Sequence, residues 1–240
     1  MSGTPEKNKA NFSDLLAELA GEATAKTRAL QVDEAERQAR DEALHGALNK
    51  LFKFFNQFSH HLNQIKPAIP RVYGVAIQTV YDQLVWLDSF TDYRKQSMQD
   101  NALFDHVLIR IQLGNPAAVE IKRRWHQLDN LKGELHAAGL RSIDDLDMML
   151  RDRSKKEFFH IQLAPDFQTR IHFQGNYDSG NIAVSCINLE DFGAVNFTLK
   201  PEEVSTTFMD ELGLFLMARS NELPDAFQRT RQVPLQTIPR

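Results

Sequence analysis

An α+β fold is what this sequence predicts, on three observations. A wide apolar helix pattern occupies residues 44–66, period-two alternation dominates the residues after it, and further helix patterns follow the alternating stretches. The expected arrangement is an N-terminal helical arm, then a mainly antiparallel sheet domain with helices packed on one side. The chain has 240 residues, 42% hydrophobic and 25% charged, which suffices for one sizeable core.

Residues 1–43 read as a polar extension, helical or partly disordered. From Ser13 to about Glu42 the chain is rich in Ala, Glu, Arg and Gln, all good helix formers, and that stretch contains no proline. Phe12, Leu15, Leu16 and Leu19 form a short apolar stripe, with Ser13 as the expected N-cap. Gly21 weakens the middle, and few apolar residues follow Leu30.

The α+β domain is expected over residues 44–220. It opens with Leu44, Leu48, Leu51, Phe55, Phe58, Leu62 and Ile65, whose spacings alternate between four and three. That is a heptad seam, and Phe52 and Phe54 flank and widen it. Pro67 ends the helix, because proline disfavours a helical conformation in the residue before it.

VYGVAIQTV and QLVWLDSF then read as strands. Residues 104–113 and 118–124 are expected to pair as a hairpin around Gly114-Asn115-Pro116, with Ile111 opposite Val119 and Arg110 opposite Glu120. A helix follows from about Trp125 to Ala138, stopped by Gly139. Ser142 to Asp145 opens another short helix with acids in its first turn. Residues 157–163 and 167–174 alternate across Ala164-Pro165-Asp166 and are expected to form a second hairpin. A third pairs Ile182, Val184 and Cys186 with Val195, Phe197 and Leu199. Pro201 suits the first turn of a helix that ends near Met217. Residues 221–240, with Pro224, Pro234 and Pro239, read as a polar tail.

Two strand–helix blocks look alike, HVLIRIQLGNPAAVEIK and NIAVSCINLEDFGAVNFTL. They read either as an internal duplication or as two meanders obeying the same alternation.

The net charge of -4 and pI near 6.1 give no general attraction to nucleic acid, which is not expected as a partner. No secretory signal opens the chain and no run approaches a membrane span, so a cytoplasmic location without membrane contact is expected. The one cysteine, Cys186, alternates with Ile182 and Val184 and reads as a small buried hydrophobe. No phosphate-cradling glycine loop and no nucleophile elbow occurs. Asp144, Asp145 and Asp147 lack the spacing of a calcium loop. Lys122-Arg123-Arg124 and residues 151–156 are short basic runs that read as solvated faces.

His60 and His61 are adjacent on the helix pattern and point about 100° apart, so they cannot clamp one metal. Neither has a metal-ligating residue four positions away, and no metal or cofactor is expected. His160 and His172 would share a polar face in the second hairpin, with Arg170 opposite His160. Trp86, Tyr93 and Arg94 lie in an unusual strand, WLDSFTDYR, which fits either a ligand site or an edge strand bonded locally through Asp92.

No acid–base or nucleophilic constellation can be assembled, so catalysis is the poorest reading. The expected function is that of a non-catalytic interaction or adaptor protein. Its helical region would self-associate or bind a protein partner through Leu44, Leu48, Leu51, Phe52, Phe54, Phe55, Phe58 and Leu62. The alternative is a small-molecule site, an apolar cavity between sheet and long helix touched by Trp86, Tyr93 and Arg94.

Overall fold

The computed structural model describes residues 10–75, 79–99, 101–151 and 157–232. The chain begins with one long helix, α1 (Ala10–Ile65). Ser13 lies inside it and is not its N-cap. The helix stops where Pro67 requires: Lys66 turns into a left-handed conformation at φ 47°, its N–H still bonded to the Leu62 carbonyl. Two compact units divide the chain, Met1–Glu42 and Ala43–Arg240.

The second unit is built on an antiparallel sheet. Its strands are β1 (Ala68–Ile69), β2 (Tyr73–Val75), β3 (Thr79–Tyr81), β4 (Leu84–Lys95), β5 (Phe104–Gly114), β6 (Val119–Arg123), β7 (Phe159–Leu163), β8 (Asp166–Asn176), β9 (Asn181–Ile187) and β10 (Ala194–Leu199). Six form one sheet in the order β1-β4-β5-β8-β9-β10; β2 pairs with β3 and β6 with β7. Between the strands stand α2 (Leu128–Ala138) and α3 (Leu146–Arg151), and after them α4 (Thr206–Leu216) and α5 (Asp225–Thr230). This is the α+β architecture the sequence predicts.

Alternation sets the two faces of the large sheet. Val107, Ile109 and Ile111 of β5, Phe167, Ile171 and Phe173 of β8, and Val184 and Cys186 of β9 all point inward and are buried. In β4 a bulge between Trp86 and Asp88 shifts the phase, so Trp86 and Ser89 both point inward.

Two expected hairpins are absent. β5 does not fold back on β6, and β7 does not fold back on β8. Instead β5 pairs with β8, ending at Gly114 opposite Asp166, and β6 pairs with β7, beginning at Val119 opposite Leu163. Glu120 therefore faces Gln162, not Arg110. Each pair of consecutive strands bends from one sheet into the other at the same place. There the N–H of Asn115 donates to the Pro165 carbonyl, and the Asn115 side chain accepts from the N–H of Gln83. The third expected hairpin forms, with Cys186 opposite Val195. The two blocks that looked alike thus differ: the second is a hairpin and the first is not.

Helices cover the inner face. Ser59 of α1 meets Thr91 of β4 at 3.1 Å. Phe227 of α5 stacks on Phe197 of β10, ring centroids 4.1 Å apart, and touches Phe208 of α4. Within the stretch from residue 221 that the sequence reads as a polar tail, Leu223, Ala226 and Phe227 are buried; residues 233–240 lie outside the described residues. Gly139 closes α2 in the left-handed conformation. α4 starts at Thr206, capped by the Ser205 hydroxyl, while Pro201–Glu203 form a separate 3-10 turn.

Both edges of the large sheet are blunted. β1 covers only Leu84 and Val85 of β4. Beyond them the Asn63 side chain donates to the Ser89 carbonyl, and Asp92 accepts the N–H of Tyr93 at 2.8 Å. At the other edge Gln232 exchanges two backbone hydrogen bonds with Asn196 of β10.

Candidate functional site

The seam expected to meet a partner is divided by the fold. Leu44, Leu48, Leu51, Phe55 and Leu62 are buried in the chain's own core. Phe58 of the seam and the flanking Phe52 and Phe54 are half-buried and pack on the same chain. Phe52 packs on Tyr93 and Phe104, at 4.5 and 6.3 Å between ring centroids. Phe58 stands edge-on to Trp86 at 6.0 Å, and a Cβ added at Gly213 of α4 would lie 3.1 Å from its ring. Phe54 packs edge-on against Phe55. The leucines and Phe55 of the seam therefore serve the chain's own core, while Phe52, Phe54 and Phe58 keep part of their surface exposed.

Trp86, Tyr93 and Arg94 do not converge. Trp86 is buried and donates its indole N–H to Asn63 and Ser89, each at 3.2 Å. Tyr93 and Arg94 are exposed roughly 23–26 Å further along β4, at roughly 3.3 Å per residue. The local bond from Asp92 to the Tyr93 N–H fits the edge-strand alternative.

In the first unit, every side chain from Leu16 to Arg40 is exposed. Leu16, Leu19, Leu30 and Val32 are each at least half exposed. Leu16, Leu19, Ala23 and Leu30 fall at spacings of three, four and seven, which places them on one helical face. Glu34 accepts from Arg37 and Gln38, and these bonds hold its carboxyl below the usual range.

The open face of the large sheet carries a second concentration of chemistry. One register line runs Phe90, Arg110, Arg170, Ile187 across four strands. The next runs Asp92, Leu108, His172, Ser185, and the one beyond it Arg94, His106, Gln174, Ala183. On the other side of the arginines lie Asp88, Gln112 and Gln168. Arg110 and Arg170 are thus direct cross-strand neighbours of like charge, an arrangement that destabilises a sheet. Among the described residues neither guanidinium has a hydrogen-bond partner or a carboxylate within 4.0 Å. Phe90 beside them is 53% exposed.

His106 and His172 stack edge-on with ring centroids 4.7 Å apart. Burial, then the neighbouring His106 and Arg170, hold His172 below the usual histidine range. His106 bonds Asp105 at 2.9 Å, and Gln174 donates to the same carboxylate. Burial alone would raise Asp105, but these two bonds outweigh it and hold the carboxyl low. His160 belongs elsewhere: it lies on β7 against Glu120 at 2.6 Å, opposite Lys122 rather than Arg170. The expected His160–His172 pair is therefore replaced by His106–His172. Cys186 is buried, and burial pushes its thiol well above the usual range, so it is not poised as a nucleophile. His60 contacts Gln64 at 3.0 Å.

Sequence reasoning missed the arginine pair because it assigned β5 and β8 to different hairpins. The alternation of Arg110 and Arg170 with buried neighbours was visible, but their adjacency depends on long-range pairing. Among the described residues, no helix is long and apolar enough to cross a membrane. No protein-family model matches the chain, and no curated protein or solved structure is significantly similar to it.

Proposed function

We propose that the chain is a non-catalytic interaction protein whose arm, residues 10–42, pairs with the same arm of a second copy. The observation that carries this reading is the apolar face of Leu16, Leu19, Ala23 and Leu30, which lies in a helical stretch, Leu16 to Arg40, where every side chain is exposed. Isolated helices in water are marginal, and most helical stability in proteins comes from burying an apolar face. A second helix supplies that burial. The arm carries eight acids and four bases, Lys26, Arg28, Arg37 and Arg40, so some charges of two copies can pair while the apolar face supplies the main attraction. The burial of Leu44, Leu48, Leu51, Phe55 and Leu62 in the fold supports this choice of the arm over the seam.

Sedimentation of the full chain across a concentration series tests this. A reversible dimer is expected, and Leu19→Glu with Leu30→Glu should return it to monomer while near-ultraviolet dichroism from the buried aromatics stays unchanged. A chain that is monomeric throughout, or a dimer indifferent to both substitutions, would refute the reading.

A further inference from the structure

We propose that Arg110 and Arg170, side by side on the open face of the six-stranded sheet, recognise a phosphate monoester carried on an extended segment of a partner protein. The inference rests on the sheet face alone and does not depend on the arm.

The first argument is the uncompensated charge. Two guanidinium groups directly opposite each other on neighbouring strands repel, and among the described residues no carboxylate stands between them. An oxyanion bridging the pair converts that repulsion into two charge-assisted, bidentate contacts, the geometry at which arginine excels. The second argument is charge balance. Two permanent cations match the charge of about -1.5 to -2 on a phosphate monoester at neutral pH better than they match one carboxylate.

The surroundings narrow the class further. Asp88 and Asp92 lie on β4 in the register lines on either side of the arginines. At about 7 Å along the strand from the Phe90 position, they repel a polyanion that would run past the pair. A compact anion fits between them and a nucleic-acid backbone does not. The exposure of Phe90, Arg110 and Arg170 also counts, since small free ligands are held by concave sites that enclose most of their surface. A segment of protein gains contact beyond its phosphate from Phe90 and Ile187 at the ends of the arginine line, from Leu108 beside it, and from the Gln168 amide on its other side.

The test uses the full chain on degenerate peptide arrays centred on phosphoserine, phosphothreonine or phosphotyrosine, each beside its unphosphorylated match, with inorganic phosphate and a thymidine oligonucleotide as competitors. Phosphorylated peptides should be retained at least about tenfold more tightly than their matches. Arg110→Gln and Arg170→Gln should each weaken retention by about tenfold or more, and the lysine variants should fall between, because they keep charge but lose the fork. Both glutamine variants remove a like-charge contact, so their melting temperatures should equal or exceed the parent's, which separates lost binding from lost folding. No preference for phosphorylated peptides, retention that survives both substitutions, competition by free phosphate at affinity equal to the peptides, or stronger retention of the oligonucleotide would each overturn the proposal.

Discussion

Asn63 on the long helix accepts the indole N–H of Trp86 on β4 at 3.2 Å, tying helix to sheet through a polar contact inside an apolar interface. The same side chain donates to the Ser89 carbonyl and accepts from the Ser89 hydroxyl, each at 2.8 Å. One turn earlier Ser59 meets Thr91. Apolar packing is non-directional, so this polar line fixes the rotation and register of the helix on the strand. Asn63→Leu should cost about 2 kcal/mol in urea unfolding, because it leaves buried partners short of bonds. A loss near zero would mean the line carries no stability.

The close approach of Gly213 to Phe58 predicts a coupled pair. A methyl group at Gly213 would lie 3.1 Å from the ring, so Gly213→Ala sets a gain of about 1 kcal/mol in helix propensity against a clash. Phe58→Leu removes the clash. A double-mutant cycle should therefore show Gly213→Ala more favourable in the Phe58→Leu background by about 1 kcal/mol. Additive effects would place α4 further from α1 than the structure does.

Asn188 is a buried node with φ 57°. Its amide donates to the Ala138 and Gln168 carbonyls at 2.8 and 3.0 Å and accepts the Gly193 N–H at 3.0 Å. Its carbonyl accepts the hydroxyls of Tyr73 and Thr169. Asn188→Ala should cost about 4 kcal/mol, since it strands three backbone groups and puts alanine, which tolerates the left-handed region less well than asparagine, at that position. Asn188→Gly should be about 1 kcal/mol less damaging, as it removes only the second penalty. Denaturant titration of the two variants side by side checks the difference.

Burial, with the Asp166 charge adding to it, pushes the Tyr81 phenol up to about 12 from its ordinary value of about 10. Tyr73 is raised by burial in the same direction. Between pH 10 and 12 the folded chain keeps a proton on Tyr81 that the unfolded chain releases. The stabilisation is fully present below pH 10 and is lost as pH rises through that window. Tyr81→Phe should lower stability near pH 7 by about 1 kcal/mol, through loss of the 2.9 Å bond to the Ala164 carbonyl. It should also flatten the alkaline decline. Urea midpoints at pH 8, 10 and 11 separate the two effects.

Local signals were legible in the sequence wherever their cause was local. Pro67 stopped α1, Gly139 stopped α2, and the β9–β10 hairpin followed from its own alternation and turn. The 44–62 seam was legible as an apolar row, but its cover was not. A heptad pattern is the same whether the helix packs on another helix or on Trp86, Thr91 and α4. Gly114-Asn115-Pro116 carried turn chemistry that predicted reversal. The chain bends there without reversing, because the Asn115 N–H finds the Pro165 carbonyl across the second bend. Period-two alternation assigns a face and not a neighbour. The adjacency of Arg110 and Arg170, which closes across α2 and α3, was therefore beyond reach.

The bond from the Asp92 side chain to the Tyr93 amide bears on how the chain behaves in a crowd. An uncovered β4 would offer its backbone as a template, and a passing chain with a similar strand could lengthen the sheet without limit. By filling that amide from within and keeping charge at Asp92 and Arg94 on the rim, the molecule discourages its own polymerisation. Asp92→Ala is accordingly expected to leave the fold intact while shortening the time a concentrated solution stays clear, a trait that equilibrium unfolding would not detect.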